Sequence, residues 1–192
     1  PVRTRNTEAA LVPARAVPMS GLFRTGGRPR NGKPDNTPPT LPTPRADKDR
    51  DGPTYAELAG TTNFYFLRGA SHPGDFVNRA LEMGHTGIGI ADRNSVAGVV
   101  RAHSAFEEAE EAFKDAYGPQ ARLPFQLVVG ARLAFADETP DILAYPENRE
   151  GWGRLCRLLT IGKRRAVKGE CLLYEDDLFA HLHDLLFIIM PV

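Results

Sequence analysis

Few side chains in this sequence could do chemistry, and their spacing decides which chemistry is open to them. Asp92 and Arg93 close the word GIGIADR, Arg132 lies in VVGARL, and Ala59, Gly60, Thr61 and Thr62 form AGTT. In an α/β fold these words end strands, where ligands and catalytic groups gather. One carboxylate, two arginines and small residues do not hold a metal, which needs several N or O donors. His181 and His183 are two apart, so on a helix they point about 200° away from each other and cannot share an ion. His72 stands at a helix start, where its ring is expected to cap backbone, and His85 and His103 have no sequence-local partner. Cys156 and Cys171 are the two cysteines and lack zinc spacing. No nucleophile elbow, P-loop or GxGxxG occurs. The acids Glu107, Glu108, Glu110 and Glu111 occupy adjacent directions round a helix and read as a solvated face. The remaining candidate patch is GKRRAVKGE, where Lys163, Arg164 and Arg165 could contact phosphate or nucleic acid. The same three cations at a helix C-terminus also complement its dipole.

The elements that must position these groups follow from periodicity. From Tyr55 onward, short apolar runs alternate with amphipathic segments, the signature of βα units. The first strand is expected at Tyr55 to Leu58. It is followed by the loop GTTNFYFLRGAS, whose Phe64, Phe66 and Leu67 read as apolar loop packing. A helix then opens at His72 and Pro73, with Asp75 near its positive end and Gly84 as its stop. HTGIGIADR reads as a second strand whose glycines allow a backbone or helix to approach closely. A long helix from about Ser95 to Ala116 is apolar through Val96, Val99, Val100 and Phe106. Phe125 to Phe135 and DILAY form two strands joined as a hairpin through ADETP. GWGRLCRLLTIGKRR is a helix burying Trp152, Leu155, Leu158 and Leu159. A short helix from Glu175 to Leu182 leads into LLFIIMPV, a continuous apolar run expected to be a strand buried on both faces. The sum is an α/β architecture of mostly parallel strands, a doubly wound sheet or part of a barrel.

Composition separates a second region. The formal net charge of the 192 residues is zero, yet residues 1–54 carry 10 Lys and Arg against 5 Asp and Glu. They also hold 10 of the 16 prolines and few large apolar side chains, so they cannot bury enough surface to offset the entropy of ordering. This segment is read as a disordered Pro/Arg-rich tail, and residues 55–192 as the ordered part. A transit peptide is a second reading of the basic start. Pro1 in place of Met suggests a fragment or a processed product. No secretory apolar region and no run near the ~18 residues of a membrane span is evident, so a cytoplasmic setting without membrane association is expected.

Four words carry a resemblance: AELAGTTNFYFLRGASHP, LEMGHTGIGIADRNSVAGVVRAH, VVGARL and ILAYPENREGWGRLCRLLTIGKRRAVKGEC. In this order they resemble the N-terminal part of bacterial error-prone DNA polymerases of the C family, relatives of the polymerase III alpha subunit. The match covers about Tyr55 to Val192. The resemblance implies an incomplete PHP-type irregular β/α barrel, TIM-like, after the disordered tail. Active PHP members hold a metal cluster, with HxH in the place of Ala59 and Thr61, DH in the place of Asp92 and Arg93, and GxE in the place of Gly130 and Arg132. Of the five ligand positions among these only Asp92 keeps its type, which implies no catalytic residue and no metal here.

Three expectations follow from that resemblance. A contact between Asp92 and an arginine is expected to replace the ion. The parent protein would be a DNA polymerase of DNA repair and translesion synthesis in the SOS response, with Mg²⁺ on palm carboxylates beyond Val192 and no cofactor in this segment. Its partners would be DNA and other damage-tolerance proteins, and this segment would be a scaffold. The alternatives are a PHP-type metal-dependent phosphoesterase or proofreading exonuclease, and a truncated product whose exposed apolar last strand makes it poorly soluble.

Overall fold

The computed structural model describes residues 54–66 and 68–191. The tail over residues 1–53, the side chain of Leu67 and Val192 lie outside the described residues. The elements run β1 (Ala56–Gly60), α1 (Pro73–Glu82), β2 (Gly87–Arg93), α2 (Val99–Tyr117), β3 (Gln126–Leu133), β4 (Ile142–Pro146), α3 (Arg149–Arg165), α4 (Glu175–Phe179) and β5 (Leu185–Ile189). They make one five-stranded sheet in the order β1-β2-β3-β4-β5.

Only half of the strand junctions are parallel, against the expectation of a mostly parallel sheet. β1, β2 and β3 pair in parallel, whereas β3–β4 and β4–β5 are antiparallel. The hairpin through ADETP accounts for the first reversal. The second arises because the connection after β4 has two legs. α3 carries the chain back along the sheet to Leu173, which bridges to Phe135 beside the end of β3. α4 and the residues after it return it to the starting end, where Leu185 pairs with Pro146. A single crossover helix would have made β5 parallel.

All four helices cover one face of the sheet. Alternate residues of β2 and β3, namely Ile88, Ile90, Leu127 and Val129, pack against Val77, Ala80 and Leu81 of α1 and Val99, Ala102 and Phe113 of α2. Further along the same face, Ala131, Leu133, Ala144 and Leu185 pack against Leu155, Leu158 and Leu159 of α3 and Leu178 of α4. The opposite, concave face carries a smaller cluster of Ala91, Leu143 and Tyr145, with Val128 and Met190 against it. The sheet is thus a half-barrel, consistent with a PHP-type barrel.

Tyr145 explains the glycines of GIGIADR. Its ring crosses the concave face from β4 and its hydroxyl donates to the Leu58 carbonyl on β1. A Cβ on Gly89 would lie 3.1 Å from the Tyr145 hydroxyl and 2.8 Å from the Leu58 carbonyl, and one on Gly130 would lie 2.6 Å from the Tyr145 ring. A tyrosine side chain and neighbouring strand carbonyls fill that space, not a helix.

Element ends follow local chemistry. Gly84 stops α1 in the left-handed region at φ 71°, and Asn148 caps α3 by accepting from the Gly151 amide at 2.9 Å. α2 begins at Val99, later than Ser95, because Asn94 itself is left-handed at φ 47°. Its side chain bonds both the amide and the carbonyl of Ala134, fixing a turn there. The buried face of α2 is Val99, Ala102, His103, Ala109 and Phe113, while Val100 is exposed. α4 ends at Phe179, before Leu182.

The last strand departs most from expectation. Among the described residues β5 is an edge strand paired with β4 alone, and Leu186, Ile188 and Ile189 are exposed. A continuous apolar run cannot distinguish a central strand from an edge, because the difference lies in which chain segment sits beside it. Among the described residues no helix is long and apolar enough to cross a membrane.

Candidate functional site at the strand ends

The rim formed by the C-terminal ends of β1, β2 and β3 collects Ala59, Thr61, Asp92, Arg93 and Arg132. Strand alternation divides them. Asp92 follows Ile88 and Ile90 on the helix-covered face and is 1% exposed. Arg93 and Arg132 are register partners on the concave face.

Asp92 is a structural anchor. Its Oδ1 accepts from the Thr62 amide at 2.7 Å and its Oδ2 from the Thr62 hydroxyl at 2.7 Å. Thr62 is itself fully buried, and its hydroxyl accepts from the Phe64 amide at 3.2 Å. One carboxylate thus fixes the start of the loop after β1. A second bond, from the Asn63 amide to the Ser71 carbonyl at 2.9 Å, closes that loop. Burial raises the Asp92 carboxyl above its ordinary range, and the two Thr62 bonds oppose that rise.

The expected contact between Asp92 and an arginine does not form. Arg93 donates to the Tyr65 hydroxyl at 3.4 Å, and Arg132 donates through Nε to Asp141 Oδ2 at 2.6 Å. Adjacent residues of a strand face opposite sides of the sheet, so Arg93 cannot turn to Asp92, and Arg132 shares the face of Arg93. The partner of both Asp92 oxygens is Thr62, through its backbone amide and its hydroxyl.

A PHP-type metal cluster does not fit these side chains. Among the described residues no three His, Cys, Asp or Glu converge on one point. The Asp92 oxygens are both taken up by Thr62 on the far face, and guanidinium groups occupy two of the positions where ligands would stand. Ala59 offers no donor, and the Thr61 hydroxyl lies 3.4 Å from the Ala59 carbonyl.

The histidines are dispersed. His72 faces Arg101 at 3.0 Å, and its amide donates to Asp75 at 3.3 Å as part of a capping box at that helix start. His103 does have a partner on its own helix, Glu107 at 3.2 Å. The His85 ring packs edge-on to Tyr55 at 4.8 Å. His181 Nδ1 lies 2.8 Å from the Asp177 carbonyl.

The basic cluster is also divided. Arg165 holds Asp177 with two bonds, of 2.6 and 2.9 Å, donates to the Leu172 carbonyl at 2.9 Å, and lies 5.0 Å from the Tyr174 ring centre. It therefore joins α3 to α4. All three cations are exposed, but Arg165 is committed to Asp177, which leaves Lys163 and Arg164 as the candidates for a phosphate contact. Hydrogen bonding from Arg165 holds the Asp177 carboxyl below its ordinary value. The folded value is the lower one, so this contribution is present above the ordinary carboxylate range and is lost as pH falls through the folded value. Arg165→Ala is therefore expected to move the Asp177 titration upward toward about 4, read by carboxyl carbon chemical shifts against pH. An unmoved titration would refute the tie.

The loop aromatics do not pack as expected. Phe64 is 41% exposed and Phe66 is 80% exposed. In the sequence Thr62 stands at a strand end without an assigned role, and Asn94 and Tyr145 go unrecognised. Asn94 carried the one usable signal, a left-hand-tolerant residue directly after a strand and before a helix.

The PHP domain family matches residues 60–188. Error-prone DNA polymerases of Rhodopseudomonas palustris are similar to this chain, with 50% identity over 139 residues for strain BisB5 and 53% over 130 residues for strain HaA2. Those alignments cover 72% and 68% of this chain and 12% and 10% of the relatives. Error-prone DNA polymerase 1 of Rhizobium meliloti is 52% identical over 136 residues, covering 71% of this chain and 11% of that protein. The chain thus spans roughly a tenth of the length of the curated relatives it matches. A solved chain from Bifidobacterium adolescentis, assigned only provisionally to the metal-dependent phosphoesterases, aligns with a TM-score of 0.41 and 21% identity. It covers 57% of this chain and 33% of that one, too distant a likeness to carry any argument. With a half-barrel sheet, helices on one face and the family match over most of the described residues, this chain belongs to the PHP domain family.

Proposed function

We propose that this chain is the N-terminal PHP segment of an error-prone DNA-directed DNA polymerase and serves there as a scaffold without catalysis of its own. The polymerase reading is supported by the names of relatives at about half identity. The scaffold reading is carried by one observation: Arg93 and Arg132 stand as register partners on the concave face of the rim, where a cation cluster would meet two guanidinium groups. Nucleotide addition would rest on palm carboxylates and Mg²⁺ elsewhere in the parent, with DNA as its substrate. DNA repair, translesion synthesis, the SOS response, damage-tolerance partners and a cytoplasmic site belong to the same proposal.

Two measurements test it. The purified chain supplemented with Mn²⁺ is expected to bind no stoichiometric metal and to show no phosphatase or exonuclease turnover. Stoichiometric metal with turnover would overturn the scaffold reading. Reading the gene past Val192 tests the polymerase reading separately: an open frame reaching a carboxylate-bearing palm is expected, and an immediate stop codon would remove it.

A further inference from the structure

The loop between β1 and α1 presents two aromatic rings to solvent on a rigid base. Phe64 and Phe66 are 41% and 80% exposed, while the backbone beneath them is fixed by Asp92 through Thr62 and by the Asn63 to Ser71 bond. Two exposed rings two residues apart on one anchored loop are a candidate contact surface. The surroundings say which kind. Tyr65 ties the loop to Arg93, Arg132 lies beside Arg93 on the next strand, and Arg101 stands by His72 at the far end of the loop. The acids recorded beside these groups are themselves engaged: Asp141 by Arg132, Asp75 by the His72 amide, and Glu57 by the Ala59 amide and the Tyr55 hydroxyl.

From this juxtaposition we propose that the aromatic loop and the arginine rim form a binding platform for single-stranded nucleic acid. Unpaired bases stack on Phe64 and Phe66, and the backbone phosphates follow Arg93 and Arg101. An acidic peptide would satisfy the arginines and leave both rings uncovered, and a duplex hides its base faces. Only a strand with free planar faces and regular negative charge uses both features. The inference stands on these side chains and does not depend on whether the parent polymerises DNA.

The test is fluorescence anisotropy of a labelled oligothymidylate of about 20 nucleotides with the full chain, long enough for several stacking sites. Saturable binding that weakens steeply with salt is expected. Phe66→Ala should lower affinity roughly tenfold or more, within the range of one lost base stack. Phe66→Leu, which keeps apolar volume without a π face, should show the same loss and serves if the alanine variant folds poorly. Absence of saturable binding overturns the proposal, as does equal affinity for duplex or equal displacement by polyglutamate at matched charge. Loss of binding in Lys163→Ala/Arg164→Ala with Phe66→Leu unaffected also overturns it, because it would move the contact to the end of α3.

Discussion

Asp92→Ala is expected to lower the unfolding free energy by about 3 kcal/mol, the cost of stranding two buried donors. Removing the carboxylate leaves the Thr62 amide and hydroxyl, now bonded at 2.7 Å each, without partners in a site closed to water. The loop after β1 loses its anchor at the same time. Asp92→Asn behaves differently. Its amide oxygen still accepts from the Thr62 amide, but its NH₂ cannot accept from the Thr62 hydroxyl, so one buried donor is stranded in place of two and the cost is about half that of alanine. The wild-type carboxyl has a raised folded value because of burial. Its contribution is therefore fully present below the ordinary carboxylate range and declines as pH rises through the raised value. The advantage of wild type over Asp92→Asn should shrink between about pH 4 and about pH 7. Urea unfolding of the three proteins at both values measures this. Equal destabilisation by alanine and asparagine at neutral pH would show that charge, not hydrogen-bond geometry, is what the site requires.

Gly130→Ala is expected to destabilise by about 3 kcal/mol or more, because the methyl group has nowhere to go. A Cβ there would lie 2.2 Å from the Ala144 carbonyl and 2.6 Å from the Tyr145 ring. Either β3 and β4 separate or Tyr145 leaves the concave face and gives up its bond to Leu58. Gly153→Ala is the internal control. It lies within α3, and its Cβ would meet nothing within 4 Å. There the ordinary helix preference governs, and a gain of up to about 1 kcal/mol is expected. Opposite signs for the same chemical change separate close packing from backbone entropy in one pair of melts. A neutral Gly130→Ala would mean that the tyrosine crossing is not rigid.

Much of the fold was legible because it rests on local rules. Pro73, Asp75 and Gly84 bracket α1 by terminus chemistry, and the spacing of Leu155, Leu158 and Leu159 sets the buried face of α3. The hairpin of β3 and β4 followed from a short polar turn. The misread features all depend on a non-local neighbour. LLFIIMPV has the composition of a central strand, and its edge position comes from the two-legged return of the chain. Arg165 looked like one of three equivalent cations, and its commitment to Asp177 depends on where α4 docks. Phe64 and Phe66 looked like packing, and their exposure follows from a tight loop held by Thr62.

The rim shows the division most directly. By itself the sequence determined the residue types: Ala59, Thr61, Arg93 and Arg132 cannot make a set of metal donors, because donor chemistry is a property of each side chain. Only the tertiary structure decided what Asp92 does. Alternation along β2 turns it to the helix-covered face and Arg93 to the concave one, and the register of β2 with β3 sets Arg132 beside Arg93. Hydrogen bonding then gave the carboxylate to Thr62, a residue thirty positions away in the chain, brought within 2.7 Å by the pairing of β1 with β2.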